Sequence, residues 1–252
     1  MERPLALETL RIAREVYEAD KIINLPNMKV HYAAGITLAL KNLKGLLVGG
    51  AKKYCHEVGL EKAIVDPNNT IKTHLHIVDA ISCMERMGPR GGDIVNLGLI
   101  MAGAAAGEVD YVGSQVMRYE VSEAKHLERY LQVNWIDLKK IEVIGERLEE
   151  VRHPFKKVKL ENLIPKEFRI HNINACSSCM NAFLLSCQRL EEIQGVFDVY
   201  MGELLDDPLT RDGIKIAFGN CCPPNRAFNK RIKGCPPYPL ALKDYLKDFK
   251  RA

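Results

Sequence analysis

The stretch "KIINLPNMKVHYAAGITLALKNLKGLL" (residues 21–47) changes its pattern of hydrophobicity halfway along. "KIINLP" is a short, β-branched run of the kind a buried strand shows, whereas "AGITLALKNLKGLL" spaces its apolar residues more widely and sets lysines between them, as an amphipathic helix does. The same alternation continues. "THLHIVDAI" (73–81) and "LGLIMAGA" (97–104) read as further strands; "GLEKAIVDPNNTI" (59–71) and "GEVDYVGSQVMRYEVSEAKHLERYLQ" (107–132) read as helical. Strand and helix patterns in turn predict an α/β domain with a mainly parallel sheet. "KKIEVIG" (139–145) is expected to add one strand.

The segment "ERLEEVRHPFKKVKLENLIPKEFRI" is charged and interrupted at Pro154 and Pro165, so it reads as a connector. The expected organisation is an α/β domain over residues 1–154 and a small cysteine-rich α+β domain over residues 155–252. The second part opens with a helix through "SSCMNAFLLSCQRLEEI", followed by strands at "VFDVYMGE" and "GIKIAFGN" and a proline-rich basic loop.

Bulk properties exclude several classes. The 252-residue chain has 36 basic and 32 acidic residues and a net charge of +4, too mild to imply a polyanionic partner. Its basic stretches, "FKKVKLENLIPKEFR" and "NRAFNKRIKG", have no stacking or reading motif, so nucleic acid is not expected. No apolar run reaches the length of a membrane span, and the start lacks the apolar stretch of a signal peptide. A cytoplasmic protein without a membrane contact is expected. The basic run around the last cysteines can offset thiolate charge or meet an acidic electron carrier.

Six of the eight cysteines lie in the last third: Cys176, Cys179, Cys187, Cys221, Cys222 and Cys235. In a reducing compartment such a cluster points to metal or redox chemistry. Cys176 and Cys179 form a C-x-x-C pair. The second pair of ligands comes from "GNCC" and "GCPP", two glycine-led turns, and Cys221 is preferred there with Cys222 in reserve. Zinc, an iron–sulfur cluster and a dithiol all remain open. Structural zinc usually has two spaced knuckles, and here only the first half has that form, which favours iron and sulfur. Cys187, on a dense apolar helix, is expected to be a packing thiol, as are Cys55 and Cys83.

A second group of residues lies in "HYAAGITLALK" (31–41). His31 follows the first strand, at the carboxyl end where open α/β sheets form their crevices, and Lys41, Lys44 and His56 follow it. Such groups titrate and bind anions or metals. "GPRGGD" (88–93) reads as a turn between strands. Asp79 and Asp110 are further carboxylates within reach of the crevice, and His74 and His76 share a strand face.

The runs "ADKIINLPNMKVHYAAGITLALKNLKGLL", "AIVDPNNTIKTHLHIVDAISCMERMGPRGGD", "LGLIMAGAAAGEVDYVGSQVM", "GNCC" and "GCPP" together resemble the domain-of-unknown-function 362 family, described as uncharacterised iron–sulfur centre proteins. The resemblance runs through nearly the whole chain. "GCPP" with a nearby "CC" is also similar to the cluster-binding small subunits of hydrogenases and of respiratory complex I. Both resemblances imply a [4Fe-4S] cluster on Cys176, Cys179, Cys221 and Cys235. The family usually carries a further α/β stretch before "ADKIINLP", where about 18 residues stand here, so completion by another chain or a reduced domain is expected. "HYAAGITLALK" faintly resembles a segment of nickel-pincer lactate racemases. That resemblance implies His31 as an acid/base residue, Lys41 as an anchor or anion contact and His56 as a ligand. The racemase glycines before the lysine are replaced by Leu38, Ala39 and Leu40.

The functional expectation is an iron–sulfur oxidoreductase acting on a small anionic molecule, with His31 and Lys41 catalytic and Lys41 and His56 holding a cofactor. An electron-transfer or assembly subunit, working with an electron-donor protein or partner chain, is one alternative. A racemase-like or lyase-like enzyme is the other. Self-association into a homo-oligomer is compatible with each.

Overall fold

The computed structural model describes residues 4–158, 162–173, 175–203, 209 and 212–249. The chain forms two compact units, Met1–Val158 and Lys159–Ala252, and residues 159–161 of the expected connector lie outside the described residues.

The first unit begins with α1 (Arg14–Glu18), followed by β1 (Ile23–Asn24), β2 (Asn27–His31) and β3 (Gly35–Thr37). Next come α2 (Ala39–Asn42) with a 3₁₀ turn over Leu43–Leu46, then α3 (Ala51–Glu57) and α4 (Leu60–Thr70). The long strands β4 (Leu75–Glu85) and β5 (Asp93–Gly103) precede α5 (Ala106–Val116), α6 (Lys125–Val133) and α7 (Leu148–Val151). β4 is the centre of the sheet. β1 and β2 lie parallel to it, one after the other, while β5 runs antiparallel on it and β3 antiparallel on β2.

Three local features differ from the sequence expectation, each for a physical reason. Residues 35–37, expected as helix, form a strand, because Gly35 with φ +77° turns the chain straight back along β2. The ideal Cβ of any other residue there would also stand 2.3 Å from the Glu123 carbonyl oxygen. β4 and β5 are joined by the short "GPRGGD" turn rather than a helix, so the longest ladder of this sheet is antiparallel. "KKIEVIG" forms no strand; it begins as a 3₁₀ turn over Leu138–Lys140 and leaves Ile144 95% exposed.

Helices cover one sheet face. Met28 and Val30 of β2 and Val78 and Ala80 of β4 point into a core with Leu38, Leu40, Ile64, Val109 and Leu127. The opposite face of β5 is open, with Ile94 and Ile100 exposed. Full burial on both faces was the expectation for this strand; it is an edge strand with an alternating pattern.

The second unit is built on β6 (Phe168–Ile173), α8 (Ser177–Cys187), β7 (Phe197–Gly202), β8 (Ile214–Phe218), β9 (Lys230–Ile232) and α9 (Pro239–Leu246). Its four strands pair in chain order and are all parallel. The α+β arrangement expected here gives way to parallel α/β, because each strand is separated from the next by a crossover segment rather than a tight hairpin. On one side Phe183 of α8 meets Phe168 edge-on at 5.3 Å and Phe218 at 6.0 Å. α8 is shorter than expected, ending at Cys187, and α9 is tied to it where the Ser186 hydroxyl donates to the Pro239 carbonyl.

Candidate functional site

His31 ends β2 and is only 2% exposed. Its Nδ1 accepts from the amides of Ala33 and Ala34 at 3.1 and 3.2 Å, which leaves the proton of the neutral ring on Nε2. Lys41 is carried by α2, whose first amides are held from another element. Buried Asp110 of α5 accepts from Ala39 N–H at 2.6 Å and from Leu40 N–H at 3.1 Å. Asp110 therefore anchors the helix that carries Lys41 and is not itself a crevice group. Burial raises its carboxyl to about 8 against the lowering effect of those two bonds.

His31, Lys41, Lys44 and His56 are brought within electrostatic reach of one another. The Lys44 ammonium lies 2.8 Å from His56 Nε2. Burial first, then the charges of Lys44 and Lys29, lower Lys41 to about 7. Burial likewise lowers His31 to about 2, with Lys41, His126, His56 and Lys44 adding to it, and lowers His56 to about 4. The charged groups acting on Lys41 are all cations. Arg90, on the "GPRGGD" turn, lies near Lys29 and extends this positive field.

Two members of the group were not singled out in the sequence. Lys29 precedes His31 by two residues on β2 and so shares its face. His126 of α6 is 1% exposed and is lowered to about 3 by burial and then by Lys41. The available signal was its place in "KHLERYL", beside the buried Leu127 and Leu131 on the face of a strongly amphipathic helix.

The remaining candidates have structural partners. His76 is fully buried between Asn24 and Thr73, each at 3.0 Å. His74 Nδ1 accepts from the Ile22 amide, and Asp79 accepts from the Ile81 amide. An apolar groove of about 400 Å³ runs along β5 and α5, lined by Met101, Val112 and Ile144 among others; it holds none of the histidines or cysteines.

In the second unit, Cys176 caps the start of α8 and Cys179 lies in its first turn. Cys176 is lowered to about 5, chiefly by a hydrogen bond with the Cys179 thiol and further by the amides of Cys179 and Ser178. Cys179 is pushed up, because it shares that bond and feels the charges of Cys176, Cys221 and Cys235. Cys176, Cys221 and Cys235 thus lie within electrostatic reach of Cys179. A side chain at Gly219, which has φ +109°, would put its Cβ 3.0 Å from Cys179 Sγ, so glycine leaves room beside the sulfur.

Cys221 and Cys222, though adjacent, point to different surroundings. Cys222 is buried and its thiol donates to the Tyr200 carbonyl at 3.1 Å, within an apolar group that includes Ala217. Cys187 is buried on α8, and burial pushes its thiol up to about 12. Among the described residues, no three His, Cys, Asp or Glu side chains form a group that could hold a single metal ion as they stand. No described helix is long and apolar enough to cross a membrane.

An α/β unit with a buried cationic group at a strand end is the class that the first 115 or so residues define. Residues 2–115 match the family described as "Domain of unknown function (DUF362)". The match includes His31, Lys41, His56 and Asp110; it stops before His126 and the six cysteines of the second unit, short of the nearly full-length resemblance read from the sequence. The chain is also similar to "Thylakoid-associated protein sll1697" of Synechocystis sp., with 32% identity over 117 residues. That alignment covers 44% of this chain and 36% of the relative, so it spans about a third of the relative's length. No solved structure matches.

Proposed function

We propose that the protein binds one [4Fe-4S] cluster through Cys176, Cys179, Cys221 and Cys235 and serves as a redox protein. The observation that carries this reading is the convergence of Cys176, Cys221 and Cys235 on Cys179. A C-x-x-C pair joined by two single cysteines on glycine-led turns, in place of two spaced knuckles, suits a cluster better than zinc. Cys222, engaged with Tyr200, is the weaker candidate for the third ligand. Bound there, such a cluster supplies single-electron transfer.

The residues of this chain contribute the rest. Amides of Ser178 and Cys179 favour the Cys176 thiolate, and the turns that carry Cys221 and Cys235 are bonded to each other through Asn220 and Gly234. In the first unit, His31, Lys41, Lys44 and His56 offer a desolvated positive site for a small anionic substrate or cofactor. Lys41, lowered to about 7, exchanges its proton near neutral pH and is the acid/base candidate, with the His31 Nε2–H as a hydrogen-bond donor. A reducing, cytoplasm-like compartment suits free thiols. Anaerobic reconstitution with iron and sulfide, followed by absorbance and EPR spectroscopy, tests the cluster. Calorimetric titration with small anions against Lys41→Ala tests the cationic site.

A further inference from the structure

The four cysteines of the proposed cluster site differ in how far they are covered. Cys179 is buried, Cys176 and Cys221 are half-buried, and Cys235 is exposed. Gly234 and Pro237 bridge backbone to backbone, so Cys235 and Pro236 stand at the tip of a tight turn. Tyr238, 65% exposed, follows that tip. A cluster held by these four sulfurs is therefore least covered on its Cys235 side.

The stretch that carries Cys221 and Cys235 is one-sided in charge. From Gly213 to Lys243 it holds six basic residues and no Asp or Glu. Two of the six are spent inside the unit. The Arg231 guanidinium donates to the carbonyl oxygens of Cys222, Pro223, Pro224 and Arg226 and clamps their loop, and Lys243 lies 4.0 Å from Glu191. Lys230 and Lys233 are different. They lie on the edge strand β9 and at its exit, both are exposed, and among the described residues no carboxylate pairs with either. Lys233 stands two residues before Cys235. Exposed, uncompensated lysines leading to an exposed ligand give this edge a positive rim that draws in an acidic surface.

We infer that the edge formed by β9 and the Cys235 turn, with Lys230, Lys233 and Tyr238, docks a small acidic one-electron carrier protein. This inference rests on the cluster reading above and names the partner's chemistry. One electron passes between the carrier's centre and the cluster, so that one is oxidised as the other is reduced, with no bond made and no proton moved. Electron-transfer encounters are small and brief, and charge sets their rate more than buried area does.

The test follows electron exchange by stopped-flow absorbance between the reconstituted full-length protein and two carriers of opposite charge, an acidic plant-type ferredoxin and the basic cytochrome c. Exchange with ferredoxin should slow at least about tenfold from low to high salt, whereas exchange with cytochrome c should hold or quicken as repulsion is screened. In the double variant Lys230→Glu, Lys233→Glu, exchange with ferredoxin at low salt should slow at least about tenfold, and reduction by a neutral photoreduced flavin should stay within about twofold. Should that variant take up no cluster, the opposite salt responses of the two carriers in the unaltered protein decide the matter. Exchange with ferredoxin that ignores salt, an equal loss with the neutral flavin, or a short single-stranded RNA that displaces ferredoxin from the protein would each overturn the inference. If the unaltered protein takes up no iron, the cluster reading falls and this inference falls with it; a cluster that forms but shows no charge preference sinks the docking face alone.

Discussion

Asn220 and Gly234 bond to each other twice: the Asn220 amide donates to the Gly234 carbonyl at 3.0 Å, and the Gly234 amide donates to Asn220 Oδ1 at 2.8 Å. Each is followed by a cysteine of the proposed cluster site, so this reciprocal pair fixes the separation of Cys221 and Cys235. Asn220→Ala removes one bond and leaves the Gly234 amide to solvent, at a cost of about 1 kcal/mol to the second unit. The larger effect is expected on the site: a reconstituted Asn220→Ala protein should lose its cluster absorbance several times faster under air than the unaltered chain. Equal rates would show that the clasp does not set the site.

Adjacent cysteines provide a sharper contrast. Cys221→Ser should prevent formation of an intact cluster, whereas Cys222→Ala should keep it. The second variant loses a buried thiol and its bond to the Tyr200 carbonyl, and its unfolding free energy should drop by about 1–2 kcal/mol. Iron per chain after reconstitution measures the first effect and urea unfolding the second. Reversed roles would move the third ligand to Cys222.

The buried bases make stability depend on pH with a definite sign. His31, His56 and His126 stand at about 2, 4 and 3 in the folded chain, below the ordinary 6.5. Between pH 6.5 and those values the unfolded chain takes up protons that the folded chain refuses, so stability falls as pH falls. Asp110 acts the other way: raised to about 8, it holds a proton that the unfolded chain releases above 3.8. Three bases against one acid leave a net loss on the order of 1–3 kcal/mol per pH unit between pH 6 and 5. Thermal melting across that range measures it, and a flat or rising Tm on acidification contradicts the burial of these histidines.

A desolvated amine with Lys44 and Lys29 acting on it costs stability unless an anion meets it. Lys41→Met removes the buried positive charge while retaining most of the side-chain volume. The variant is expected to melt several degrees higher than the original in anion-free buffer and to bind anions at least about tenfold more weakly. A lower Tm would show that Lys41 has compensating partners.

Anchoring of the same helix is testable from the other side. Asp110→Ala deprives the Ala39 and Leu40 amides of their acceptor within the core, at a cost of about 2–4 kcal/mol. Chemical denaturation followed by circular dichroism checks this, and a cost below about 1 kcal/mol would mean that water replaces the carboxyl group.

The α/β alternation was legible because hydrophobic period alone separates "THLHIVDAI" from "GLEKAIVDPNNTI". What escaped were features set by single residues or distant partners. The Gly35 turn converts an apparent helix start into β3, and the short "GPRGGD" hairpin makes β5 antiparallel to β4; neither changes the local apolar pattern. "KKIEVIG" has the composition of a strand but pairs with none, beginning instead as a 3₁₀ turn. At the site, Lys41, Lys44 and His56 were readable because they follow one strand end in sequence. His126 arrives from a helix some 95 positions after His31, and its partner is a backbone carbonyl, so no spacing rule reports it. Similarly, the different environments of Cys221 and Cys222 depend on the Tyr200 carbonyl 22 residues away.

The central claim is that four cysteines of the second unit hold one iron–sulfur cluster. Iron, sulfide and zinc should be counted per chain in protein purified without oxygen, alongside the EPR spectrum after reduction. The account predicts about four irons and four sulfides per chain, with the signal of a reduced [4Fe-4S] centre that is lost in Cys176→Ser and Cys179→Ser. One tightly bound zinc per chain and no iron would contradict it.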